Sequence, residues 1–223
     1  QRLLDIDISN QAFPFMAVAA CNFAGIADAW LFRISFSGEL AYEINLPADY
    51  GQAAWNALLE TGRQDGIVVY GTEAMGTLRI EKGHVAGPEI NGQTTLGDLG
   101  LGAMQSKRKH NIGKSLAVRE GLIDRSRPSL VGLVPVDGES WIKAGAQLVE
   151  NPDAPPPVAM QGHVTSIAYS CVLDHPIALA LLTGGKQREG DELYAAFTLR
   201  SEAVKVRVVS PHFVDPDGRR MRG

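Results

Sequence analysis

The 223-residue chain is 45% hydrophobic and carries a formal charge of -4, with a pI near 5.7. This is enough apolar material for the core of one large domain or of two of about 100 residues each. The charge leaves no global basic field for nucleic acid or an anionic membrane surface, and no apolar run approaches the roughly 20 residues that span a bilayer. The opening QRLLDIDISNQ has no charged segment leading into an apolar one, so the expectation is a cytoplasmic protein with neither nucleic acid nor membrane as partner. Gln1 leads at once into strand-like sequence, which reads as the start of a fragment. Cys21 and Cys171 stand far apart with no CxxC and no neighbouring His, so neither a disulfide framework nor a zinc site is expected.

Along the chain, LLDIDISN alternates, with Leu4, Ile6 and Ile8 on one side, as a strand does. AFPFMAVAA is open between a turn and a short helix. Alternation returns over residues 29–46, broken at Ser37-Gly38, and predicts a hairpin whose second strand ends at Pro47. ADYGQAAWNALLETG reads as a helix capped by Asp49, with Ala54, Trp55, Leu58 and Leu59 on its apolar side and Gly62 as its stop. IVVY (67–70) reads as a short buried strand, and GTEAMGTLRIEKG as a second helix with Thr72 at its N-cap and Gly83 after its last turn. The order strand, strand, helix, strand, helix is an α+β pattern with a mainly antiparallel sheet. After the Gly- and Thr-rich GPEINGQTTLGDLGLG and a charged connecting segment come LVGLVPV, AQLVE, QGHVTSIAYS, PIALALL and VKVRVVS. These five short β-rich runs, separated by Pro and Gly clusters, predict a small barrel or sandwich.

Two readings are open at Glu43. Period two places it with Arg33, Ser35, Glu39, Ala41 and Asn45, opposite Phe32, Ile34, Phe36, Leu40, Tyr42, Ile44 and Leu46, as on a solvated strand face. If another layer covers that face, the carboxylate needs partners, and a heterocycle with paired N–H donors supplies them. Arg79 is similarly open between an exposed helical side chain and a fork for a ligand carboxylate or aromatic ring, with Met75 and Gly76 on its side of the helix. SKRKH (106–110), the one basic run, reads as a solvated connector. The glycines at 97, 100 and 102 follow a turn and open no helix, so no dinucleotide fingerprint is present. The five histidines lack metal-ligand spacing, and no GxSxG elbow occurs. The residues alone support a binding module more than a self-sufficient enzyme.

FSGELAYEINLPADYGQAAWNALLETG, YGTEAMGTLRIEKG and LGDLGLG followed by IGK together resemble the folate-binding aminomethyltransferase family, that of the glycine cleavage T-protein. Within it, the chain is most similar to the branch formed by the carboxy-terminal part of heterotetrameric sarcosine oxidase alpha subunits, which shares the closing PHFVDPDG. The resemblance implies an α+β fold in which residues 1–112 are the carboxy-terminal portion of a ferredoxin-like, T-protein-like folate-binding region. Residues 113–128 would be a connector, and residues 129–223 a small C-terminal β-barrel, packed around a central hole for tetrahydrofolate. It implies that Glu43 binds the pterin ring, that Arg79 contacts the aminobenzoyl-glutamate portion, and that Tyr42 packs or shapes the pocket. Met75 stands where T-proteins usually have a further Arg, as in the sarcosine oxidase branch. The family's catalytic Asp matches nothing in this chain, so no catalytic residue is assigned, and NAD and flavin belong to parts of the complex outside it. The implied partners are the other sarcosine oxidase subunits and the preceding alpha-subunit region. The implied reaction is capture of the carbon from oxidative demethylation of sarcosine, giving 5,10-methylenetetrahydrofolate and glycine.

Overall fold

The computed structural model describes residues 1–223. They form two compact units, residues 1–75 with 217–223, and residues 76–216.

In the first unit, β1 (Val18–Phe23), β2 (Ile26–Phe32) and β3 (Glu43–Asn45) make an antiparallel sheet in that order. Cys21 pairs with Ala29, Ala19 with Leu31, and Leu31 with Ile44. Directly paired residues share a face, and this set packs with Phe13, Phe23, Ile26 and Ala54 into one core. The hairpin predicted over 29–46 forms, but its strands are shorter and its phase differs from the expected one. The loop from 33 to 42 resets the alternation, so Ala29 and Leu31 of β2 and Ile44 of β3 face the core. Arg33 was expected on the solvated face. It continues the Ala29–Leu31 side and is fully buried, where it donates to the carbonyls of Phe13 (2.7 Å) and Arg222 (2.6 Å).

Leu4, Ile6 and Ile8 pack against this core but form no strand, since a single bridge from Leu4 to Phe23 is their only ladder contact. A 3-10 turn at Ala48–Tyr50 leads into α1 (Gly51–Gly62), so the entry is made by backbone bonds and Asp49 makes no side-chain cap. The α-helix ends at Gly62, where the stop was expected. A 3-10 turn over Arg63–Asp65 follows, and Gly66, at φ +71°, closes it. IVVY is not a buried strand: Ile67, Val68, Val69 and Tyr70 are exposed and pair with no strand.

α2 (Thr72–Lys82) follows, and Gly83 closes it at φ +76°. A Cβ there would lie 2.3 Å from the Pro211 carbonyl oxygen, so both the turn and the close approach require glycine. The short α3 (Glu120–Ile123) precedes a closed six-stranded antiparallel barrel. Its strands are β4 (Pro128–Pro135), β5 (Gln147–Val149), β6 (Gly162–Ser170), β7 (His175–Thr183), β8 (Glu192–Phe197) and β9 (Glu202–Val209), in the order β4-β7-β6-β5-β8-β9. β8 was not among the five expected runs. β7 is almost continuously apolar because both its faces are covered. Ala178, Ala180 and Leu182 fill the barrel with Leu133, Leu148, Val164 and Val206, while Ile177 and Leu179 pack outside it with Ile80 of α2. The chain closes with α4 (Arg219–Arg222). No helix is long and apolar enough to cross a membrane.

Candidate functional site

The register of the small sheet decides where Glu43 stands. Leu31 and Ile44 face the core, so the adjacent pairs Phe32–Glu43 and Trp30–Asn45 lie on the other face. β1 adds Val18 opposite Phe32 and Ala20 opposite Trp30. The outer face thus carries two rows of three, Val18–Phe32–Glu43 and Ala20–Trp30–Asn45. It is open: Trp30 and Val18 are each 50% exposed, and Glu43 and Asn45 are exposed as well. Glu43 forms no ion pair or side-chain hydrogen bond within the chain, which leaves both carboxylate oxygens available as acceptors. A 380 Å³ groove borders β3 on its other side, between Ile44, Leu46, Ala54, Trp55 and Leu58, and Glu43 does not line it. Of the two readings open at Glu43, the exposed face fits the solvated one within this chain.

Tyr42 precedes Glu43 and turns inward. Its ring stacks near Phe13, with centroids 6.5 Å apart, and its hydroxyl donates to the Ile8 carbonyl at 3.3 Å. It therefore shapes the sheet's support from the core side.

Arg79 belongs to the other unit and is buried, at 7% exposed. One Nη donates to Glu89 (2.9 Å) and to the His84 carbonyl (3.2 Å), and the other donates to Ser166 of β6 (2.7 Å). Glu89 is wholly buried and also accepts from the Ser166 hydroxyl (2.5 Å) and the Ala86 amide (2.8 Å). Burial alone would push its carboxyl up, but the bonds from Ser166, Thr165 and Ala86 and the Arg79 charge hold it below the ordinary value. Nearby, Glu81 accepts from Ser170 (2.6 Å), and Lys82 bonds the carboxylate and carbonyl of Asp215. The sequence RIEK thus clamps the end of α2 to the barrel and to the segment that follows β9. Met75, four residues before Arg79, lies in the first turn at 36% exposed.

The 76–216 unit also contains a 670 Å³ cavity whose walls include Leu96, Ile112, Leu116, Ile123, Arg127 and Lys186. Asp98, also in its wall, pairs with Arg127 at 2.8 Å. Neither Glu43, Tyr42 nor Arg79 lines it.

Comparison with known proteins then decides the relationship. Residues 1–109 match the model of the GCVT N-terminal domain, and residues 129–215 match that of the glycine cleavage T-protein C-terminal barrel domain. The chain belongs to the glycine cleavage T-protein family. Among T-protein relatives, it is 44% identical to the sarcosine oxidase subunit alpha of Rhizobium meliloti over 223 residues, which is 99% of this chain and 23% of that protein. It is 30% identical to the aminomethyltransferase of Symbiobacterium thermophilum, over 96% of this chain and 55% of that protein. The crystal structure of glycine cleavage system aminomethyltransferase T from Bartonella henselae has the same fold. The superposition gives a TM-score of 0.68 at 24% identity, over 93% of this chain and 55% of that one. The chain therefore spans about a quarter of the sarcosine oxidase relative and about half of the aminomethyltransferases.

Within this T-protein-family chain, the outer-face neighbours Val18, Trp30 and Phe32 escaped the sequence reasoning, which had placed Phe32 on the side away from Glu43. The clue was the register itself: the irregular loop over residues 33–42 between β2 and β3 breaks any period carried across it.

Proposed function

We propose that this chain is the folate-holding portion of a sarcosine oxidase alpha subunit. There it serves capture, by tetrahydrofolate, of the carbon released in oxidative demethylation of sarcosine, giving 5,10-methylenetetrahydrofolate and glycine. Support comes from membership of the T-protein family together with the 44% identity to a sarcosine oxidase alpha subunit along 99% of the chain. The observation that carries the site is the unpaired Glu43 carboxylate on an open sheet face beside Phe32 and Trp30. Tetrahydrofolate fits these residues, because the pterin edge presents adjacent N–H donors and an ionised carboxylate is a two-oxygen acceptor.

When bound, tetrahydrofolate supplies nucleophilic nitrogens for the one-carbon unit. Glu43 holds the ring edge and fixes its orientation, a positioning effect that can supply roughly 7 kcal/mol or more in favourable geometry. Tyr42, stacked near Phe13 behind β3, keeps the strand in place. Arg79 has both Nη atoms bonded within the chain, to Glu89, His84 and Ser166, so it serves by anchoring α2, which presents Met75 and Gly76. NAD and flavin chemistry is assigned to other parts of the complex, and the remaining subunits are the proposed partners.

The test is purification from its native source with a tag on this chain, followed by a sarcosine turnover assay with and without tetrahydrofolate. Co-purified flavin subunits and tetrahydrofolate-dependent conversion of formaldehyde product into methylene-tetrahydrofolate are expected. A monomer that transfers the one-carbon unit unaided would instead assign it to the free-standing aminomethyltransferases.

A further inference from the structure

We infer that Trp30, with Phe32, is the platform against which the flat ring held by Glu43 rests, so that one sheet face supplies both the edge contact and the stacking surface. This inference rests on the folate reading of Glu43. The antiparallel register sets Phe32 directly across from Glu43, and Trp30 across from Asn45. Trp30 and Glu43 are therefore diagonal neighbours on the same face, a spacing of about 7–8 Å that aromatic and long side chains bridge.

Trp30 is half exposed although it occupies the middle of the central strand. In the row beside it, β1 contributes only the small side chain of Ala20, and Phe32 is flanked by Val18. The outcome is an apolar strip bounded at the β3 side by an unpaired carboxylate and an unpaired amide, Glu43 and Asn45. A purely apolar occupant would bury that carboxylate without a partner, at high cost. A water-soluble ligand without an aromatic face would leave Trp30 and Phe32 unused. The occupant that satisfies both is a planar heteroaromatic ring with N–H donors along one edge, and stacking of such rings on aromatic side chains tolerates variation elsewhere in the ligand. Trp30 is thus a positioning and specificity residue that favours planar bicyclic ligands over open-chain carboxylates or amines.

The experiment follows binding of 5-formyltetrahydrofolate to the protein in a Trp55→Phe, Trp141→Phe background, in which Trp30 is the sole tryptophan of these residues. Quenching of Trp30 fluorescence on binding is expected. Trp30→Ala should raise the Kd at least tenfold, Trp30→Phe should recover most of the loss, and the circular dichroism spectrum and melting temperature should stay near those of the parent. Glutamate and p-aminobenzoyl-glutamate, which lack the bicyclic ring, should bind equally to parent and Trp30→Ala. If Glu43→Ala weakens binding tenfold while Trp30→Ala leaves the Kd within twofold, the platform is refuted and the folate reading survives. Failure of the parent to bind would refute both. Trp30 already shielded from acrylamide before ligand is added would show that a polypeptide segment covers the strip, and this too would overturn the platform.

Discussion

Replacing Glu89 with Ala should be among the most damaging single changes in the 76–216 unit. Its carboxylate is wholly buried and accepts from Arg79, Ser166 and the Ala86 amide, so removing it leaves a guanidinium at 7% exposure without its countercharge. Breaking a buried pair from one side costs about 3–5 kcal/mol. Glu89→Gln keeps an acceptor for Arg79 and Ala86 but replaces the oxygen that accepts from Ser166 by an N–H donor and removes the charge, for a smaller cost of about 1.5–3 kcal/mol. Replacing both partners, as in Arg79→Met with Glu89→Leu, should cost less than Glu89→Ala alone, because no buried charge remains. Urea unfolding followed by circular dichroism and by Trp141 emission measures all three. The pH dependence has a definite sign. The folded-state pKa of Glu89 lies below its ordinary value of 4.5, so the contribution is fully present above that value and disappears as pH falls through the lower, folded one. A Glu89→Ala loss under about 1 kcal/mol, or one unchanged at acid pH, would refute the clamp.

Gly83→Ala places a Cβ 2.3 Å from the Pro211 carbonyl at a φ of +76°. Strain at such a position costs about 1–3 kcal/mol before the clash is counted, so the melting temperature should fall by several degrees, measurable by calorimetry. The Asp137 carboxyl is held down at about 2 by the Ser140 hydroxyl and the amides of Ser140 and Glu139. Carboxyl-resolved NMR titration should show that value, and Ser140→Ala should raise it toward the ordinary 3.8.

Much of the fold was legible wherever local chemistry decided it. Gly83 ends α2 as its flexibility allows, and the Val- and Leu-rich runs LVGLVPV and QGHVTSIAYS lie in β4 and β6. Three features depended on residues distant in sequence. IVVY has the composition of a strand, but a strand needs a partner ladder and none of the chain pairs with it. ELYAAF was hidden behind the Gly-rich TGGKQREGD and is a strand because barrel closure demands a member between β5 and β9. Arg79 looked like a ligand fork because Glu89, ten residues on, and Ser166, eighty-seven residues on, are joined to it only by the fold. Glu43 stands exposed at the start of β3 and bonds nothing in the chain, so its period-two placement on an open face was legible. The aromatic strip beside it followed from the register across an irregular loop, which periodicity does not encode.

Calorimetric titration of tetrahydrofolate into the parent protein and into Glu43→Ala tests the proposed site most directly. The unpaired Glu43 carboxylate predicts saturable binding by the parent and a Kd raised at least tenfold in the variant, about 1.4 kcal/mol or more. Equal affinities would mean that Glu43 is an ordinary surface carboxylate and that folate, if bound, is held elsewhere.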